Sequence, residues 1–175
     1  MSDRYRPATE ALSEVAMPVV VVGAALGQDR SCATATVMYV SLDPPEVAIA
    51  LHPGSRTGRL LRDSGEFSVS ILSDAQVDVA TRAGRSAGGP DKFLAAGIVV
   101  VDPPAGFSSP GVAGSVAVLW CRVTKTLETG DHVLMIGSVA HHLTLDPAGR
   151  PLLRDARRYA ALGAWLTDVA AEYPL

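Results

Sequence analysis

Three short stretches carry residue types suited to anion binding, close ligand approach or proton transfer. In Leu51-His52-Pro53-Gly54-Ser55-Arg56-Thr57 a strand-like run gives way to a glycine, then to Ser, Arg and Thr at the start of a helical pattern. The N–H groups at a helix start attract anions, and two hydroxyls plus a guanidinium strengthen that attraction. The stretch suits a phosphate cradle, although an ordinary N-cap beside a solvated Arg shows the same pattern. Thr34-Ala35-Thr36 puts small and hydroxylic residues on a strand, where a planar ligand can approach the backbone. Threonine is also common in strands for its shape alone. Gly130-Asp131-His132 places an imidazole beside a turn carboxylate, and such a pair can hold or move a proton near neutrality. A lone turn histidine is also an ordinary surface residue. His141 and His142 are adjacent on a strand, point to opposite faces and make a poor chelating pair.

The elements that must position these residues are mostly strands. Val19–Ala24 is a continuous β-branched run of the kind found in buried strands. Gly27–Arg30 reads as a tight turn into a second strand, Ser31–Leu42, which Asp43-Pro44-Pro45 ends. Val47–Leu51 is a third strand. Phe67–Leu72 alternates apolar residues with Ser68 and Ser70, which predicts a half-buried strand. Ile98–Val101 is a further strand. Val116–Thr126 and Val133–Leu143 form a long pair around Glu128–His132, a hairpin with a longer loop. Short helices are expected at Thr9–Ala16, with Leu12 and Val15 on one face, at Thr57–Asp63, ended by Gly65, and at Ala75–Ala83. Strands do not alternate with long helices, which disfavours a doubly wound parallel sheet. The pattern predicts an all-β fold with a few short helices, a small antiparallel barrel with the helices packed outside it.

Composition narrows the function classes. The 175 residues suit one domain, with Ala87–Pro90 and Asp102–Gly111 as loops too short to divide it. Fifteen Lys plus Arg against eighteen Asp plus Glu give a net charge of −3, and aromatics are 5%. That balance lacks the basic face and stacking platforms of a nucleic-acid binder. No apolar stretch is long enough to span a bilayer, and Met1–Glu10 is polar, so a cytoplasmic protein is expected. Cys32 and Cys121 do not make a disulfide framework and read as reduced core thiols. No metal site is expected. The G-x-G-x-x-G, G-K-S/T and G-x-S-x-G signatures are absent from the sequence.

Taken in order, several segments resemble the flavin reductase family, the reductase partners of two-component flavin-dependent monooxygenases. They are Tyr39-Val40-Ser41-Leu42-Asp43-Pro44-Pro45, Ser55-Arg56-Thr57, Ser64–Leu72, Asp91-Lys92-Phe93, Gly130-Asp131-His132 with Ile136–Val139, and Arg157–Leu162. The resemblance covers about residues 15–163. It implies a split β-barrel with Greek-key topology, usually a homodimer, that passes hydride from NADH or NADPH to FMN or FAD. Thr34, Ala35, Thr36, Val40 and Ser41 would line the isoalloxazine ring and ribityl chain. Ser55, Arg56 and Thr57 would hold the flavin phosphate, and Lys92 and Phe93 would lie near the cofactor's outer end. His132 would face the nicotinamide, and Arg158 and Tyr159 would cover the bound nucleotide. Three features depart from the family's usual pattern: Ala35, where a hydroxyl or amide is common, Tyr39, where serine is usual, and Ala16-Met17-Pro18-Val19-Val20, where a Gly-Val-Thr-Val run is usual. The Tyr39 and Ala35 departures motivate a second reading, a flavoenzyme that keeps its flavin and acts on an organic substrate; a third is a non-catalytic flavin or ligand carrier.

Overall fold

The computed structural model describes residues 8–164. Residues 1–7 of the polar N-terminal stretch lie outside it. The first described elements are a short helix α1 (Ala8–Ala11) and a 3-10 turn (Leu12–Glu14), where a single helix over Thr9–Ala16 was expected. Leu12 and Val15 are both exposed, so the segment has no apolar face to bury and no packing to lengthen it.

The β-branched run forms β1 (Met17–Leu26), which turns at Gly27 into β2 (Asp29–Leu42) and then β3 (Pro45–Leu51). The first turn is tighter than expected, because Leu26 already pairs with Asp29. Helix α2 (Arg56–Ser64) follows, ended by Gly65 in the left-handed region at φ 70°, where a side chain would be strained. Then come β4 (Glu66–Ile71), a 3-10 turn at Asp74–Gln76 and helix α3 (Val77–Gly84). Helix α4 (Lys92–Ala95) leads to the short pair β5 (Val100–Val101) and β6 (Gly111–Val112). The long strands β7 (Ala117–Thr129) and β8 (His132–Thr144) are joined by only Gly130 and Asp131, not by the five-residue loop expected. Their pairing persists to Thr129↔His132, which shortens the turn to two residues. A final hairpin, β9 (Leu152–Asp155) and β10 (Arg158–Ala161), was not foreseen in the sequence.

Six of these strands close into an antiparallel barrel in the order β1-β2-β3-β8-β7-β4, with β4 returning to β1. One edge of β1 is shared. Val20–Gly23 pair with β4, while Met17 and Pro18 pair with β9. Inside the barrel, Val20 and Val22 meet Ile49, Phe67, Val69, Cys121 and Met135, and Leu60 and Leu61 of α2 join this cluster. Each such side chain contributes about 1.5–3 kcal/mol through burial. Gly137 makes room for Phe67, since a Cβ there would sit 2.5 Å from the ring.

A second core lies outside the barrel. Val19, Val21 and Cys32 pack against Ala80 and Ala83 of α3, Phe93 of α4, and Leu152 of β9. The serine face of β4 was expected to meet solvent, yet Ser68 and Ser70 are fully buried. The segment around β6 covers them. Ser68 Oγ donates to Pro110 O at 2.6 Å, and Ser70 Oγ accepts from Val112 N at 2.9 Å. Two hydroxyls matched to backbone groups make a polar face compatible with burial.

Candidate functional site

Two clefts meet at Thr34, which walls both. The first, of about 350 Å³, lies between β2, the start of α2, the end of α3 and Lys92 of α4. Ser55 caps α2, its Oγ accepting from Gly58 N at 3.0 Å. Thr57 Oγ1 lies 2.9 Å from Ser31 Oγ, a buried hydroxyl pair that ties the helix to β2. The Arg56 guanidinium turns to the facing loop, donating to Gly89 O, to Pro90 O at 2.7 Å and to Asp29 Oδ1 at 3.1 Å. Arg30 and Asp91 pair across the same loop, with Arg30 Nε donating to Asp91 Oδ2 at 2.9 Å. Partial burial pushes the Asp91 pKa up, but the Arg30 hydrogen bond and the Leu94 N–H outweigh it and hold the carboxyl below its usual range.

Lys92 is buried and donates to Cys32 O and Ala83 O, both at 2.7 Å, which joins β2 to α3. Burial pulls its ammonium below the usual lysine range. Burial also pushes the Cys32 thiol up to about 11 and the Cys121 thiol up to about 12, so both stay protonated and neither is a nucleophile at neutral pH.

This cleft offers hydrogen-bond donors to an anion. The start of α2 supplies N–H groups and the positive end of its dipole. At Gly84 a Cβ would stand 3.4 Å from Thr34 Oγ1, so a larger residue would narrow the space. Arg85 lines the same cleft and makes no side-chain hydrogen bond or ion pair with the described residues. The sequence offered no motif for Arg85; its position just past α3 is the only cue.

The second cleft, of about 460 Å³, lies against β1 and β2 and is lined by Thr34, Ala35, Thr36, His132, Arg158 and Tyr159, among others. Arg154 and Arg157 also line it; neither was expected as a site residue, although Arg157 opens the matching segment Arg157–Leu162. His132 Nδ1 is 2.7 Å from Asp131 Oδ1, which leaves Nε2 as the ring nitrogen available to a ligand. The hydrogen bond from His132, and its charge when protonated, hold the Asp131 carboxyl below its usual range. His52, cross-strand from His132, meets it edge-on with ring centres 6.3 Å apart. Its own Nδ1 accepts from Gly54 N at 3.1 Å.

Of the residues expected in the site, Thr34, Ala35, Thr36, Ser55, Arg56, Thr57, Lys92, His132, Arg158 and Tyr159 line one cleft or the other. Val40 and Ser41 line neither; they follow the register shift at Tyr39/Ser41, toward the outer end of β2. Phe93 is buried in the second core and faces neither cleft. Tyr39 is exposed and lines neither, so it does not narrow the ligand space. Among the described residues no cluster of His, Cys, Asp or Glu could hold a metal ion.

The closed antiparallel barrel thus carries an anion-attracting helix start and a histidine-bearing cleft that share Thr34 as a wall. Residues 12–163 match the Flavin reductase like domain, and the chain belongs to that family. It is 34% identical over 159 residues to the NADH:riboflavin 5'-phosphate oxidoreductase of Streptomyces pristinaespiralis, covering 86% of this chain and 88% of that protein. It is also 34% identical to the reductase component of 4-hydroxyphenylacetate 3-monooxygenase from Thermus thermophilus, covering 87% of this chain and 93% of that one. Among solved structures it superimposes on the NADH:FAD oxidoreductase SgcE6 of Streptomyces globisporus with a TM-score of 0.83 and 25% identity, over 94% and 99% of the two chains. The styrene monooxygenase flavin reductase of Pseudomonas putida S12 gives a TM-score of 0.77 at 28% identity, over 90% and 98%.

Proposed function

We propose that the protein is an NAD(P)H-dependent flavin reductase that supplies reduced FMN or FAD to a partner monooxygenase. In that reaction the flavin accepts a hydride from the nicotinamide and a proton from solvent or protein, while NADH or NADPH leaves oxidised. The observation that carries the reading is Thr34, at which the cleft at the start of α2 joins a cleft bearing His132.

The side chains divide the work. Ser55, Thr57 and the start of α2, with Arg85 opposite, hold the phosphate. Arg56 and Lys92 act by bracing the cleft walls, since their donors are already taken up by Gly89, Pro90, Cys32 and Ala83. Thr34, Ala35 and Thr36 form a low wall against which a flat ring can lie. His132, oriented by Asp131, presents Nε2 to the nicotinamide side and can hold or relay a proton there. No strong base is needed, because hydride transfer depends chiefly on ring alignment.

The reading includes a homodimer. Met38, Tyr39, Val40 and Leu42 expose apolar side chains along the outer half of β2, a surface suited to a second copy. It also includes a cytoplasmic setting, where nicotinamide nucleotides and a soluble oxygenase are available. Among the described residues no helix is long and apolar enough to cross a membrane.

The test is loss of NADH and NADPH absorbance by the purified protein, with and without excess FMN, FAD or riboflavin. Turnover that rises steeply with free flavin supports the reading. Turnover that no flavin stimulates sinks it.

A further inference from the structure

The cleft at the start of α2 has a floor, two walls and two unlike ends. Residues 31–34 of β2 make the floor, residues 54–57 one wall and residues 83–87 the other. At the Thr34 end the cleft runs into the histidine-bearing one. The opposite end lies at Asp29 and Arg30, just before the floor begins. There Arg30 N donates to Pro90 O at 2.8 Å, and the Arg30 side chain pairs with Asp91. Arg56 reaches across to Gly89 O, Pro90 O and Asp29 Oδ1. The start of α2, the start of β2 and the segment after Ala87 are tied to one another at this end, and only at this end.

The donors left to a ligand suffice for one phosphate. The N–H groups of Arg56 and Thr57, at the first two positions of α2, have no partner within the helix, while that of Gly58 is taken by Ser55 Oγ. Ser31 and Thr57 share one hydrogen bond between two hydroxyls, so one hydroxyl proton is left to give. Both residues line the cleft and are buried, at 1% and 2% exposure. Two N–H groups and a hydroxyl match the three oxygens of a terminal phosphate. Toward the tied end, Arg30 and Arg56 are already engaged, and the carboxylates of Asp91 and Asp29 stand beside them. A second phosphate placed there would meet like charge and no free donor.

We propose that this cleft selects FMN over FAD, because it seats a terminal phosphate monoester and leaves no place for a pyrophosphate. The proposal rests on the flavin reductase reading and adds to it which flavin is used. Arg56 and Asp29 are then specificity-determining residues. They do not hold the flavin; they shut the end through which a longer one would continue.

The test is calorimetric titration of the flavin-free protein with FMN, FAD and riboflavin, beside KM for each in NADH oxidation. FMN binds about tenfold more tightly than FAD, which cannot seat its second phosphate, and than riboflavin, which has none. KM follows the same order. Arg56→Ala unties the closed end, and Asp29→Asn removes a charge from it at an exposed position. In each variant the affinity ratio of FMN to FAD falls about threefold. A loosened structure alone would weaken both flavins alike, so an unchanged ratio in both variants overturns the proposal. Should Arg56→Ala fail to fold, Asp29→Asn decides alone. A wild type that binds FAD as tightly as FMN, and turns over with either, overturns the proposal while the reductase reading stands. A wild type that no flavin binds or stimulates overturns both.

Discussion

The two clefts handle their charged groups in opposite ways. Around the start of α2, Arg56 and Lys92 are satisfied by backbone carbonyls, Thr57 by Ser31, and Arg30 by Asp91. Beside His132, the exposed Arg154, Arg157 and Arg158 face the opening with no protein partner among the described residues, Arg157 from a left-handed turn position. The first cleft is shaped by its own hydrogen bonds before any ligand arrives. The second leaves its cations to solvent. One side is therefore braced by its own hydrogen bonds, and the other is open to solvent.

The largest test of this contrast is Lys92→Met. It leaves Cys32 O and Ala83 O without a donor and should lower stability by about 3 kcal/mol in urea unfolding, with flavin affinity falling too. Equal losses from Arg154→Gln would erase the distinction. Next, Thr57→Val removes one half of the buried hydroxyl pair with Ser31. We expect about 1–2 kcal/mol of stability lost and weaker FMN binding by fluorescence titration.

Asp131→Asn sharpens the other side. Stability should hold, because Asp131 is a fully exposed turn residue. Turnover should fall about tenfold as the His132 ring loses its anchor. Turnover identical to the wild type would remove Asp131 from the mechanism.

The smallest effect concerns Asp91. Its folded pKa lies below its unfolded one, so its contribution is present above the unfolded value of about 3.9 and is lost as pH falls through the folded value. The pair with Arg30 is partly exposed, which limits the gain to about 0.5–1 kcal/mol. The urea midpoint of Asp91→Asn should differ from the wild type at neutral pH and converge with it in acid.

Much of the barrel was legible because its strands carry their own signal. Val19–Val22 and the alternation of Phe67 and Val69 need no distant partner to be recognised. The burial of Ser68 and Ser70 was not legible, since it comes from Pro110 and Val112, far along the chain. Likewise β9 and β10 carry no strand signal of their own, and pairing with each other and with Met17 and Pro18 makes strands of them. The site follows the same division. Ser55, Thr57, Thr34 and His132 sit where local pattern placed them. Arg85, Arg154 and Arg157 acquire their positions from tertiary packing, and Phe93, part of a matching segment, is drawn into the second core.

The shared edge of β1 also makes the C-terminal hairpin a separate attachment to the barrel. Leu152 N donates to Leu72 O at 2.8 Å, and Leu72 N in turn donates to Val19 O at 3.3 Å, so β9 docks on the seam between β1 and β4. We expect the hairpin to open before the barrel does. Its amides should exchange with deuterium through a local opening, well before those of β1 and β4, which wait for global unfolding. A protein built this way can shed and regain its arginine-bearing flap while the barrel beneath stays closed.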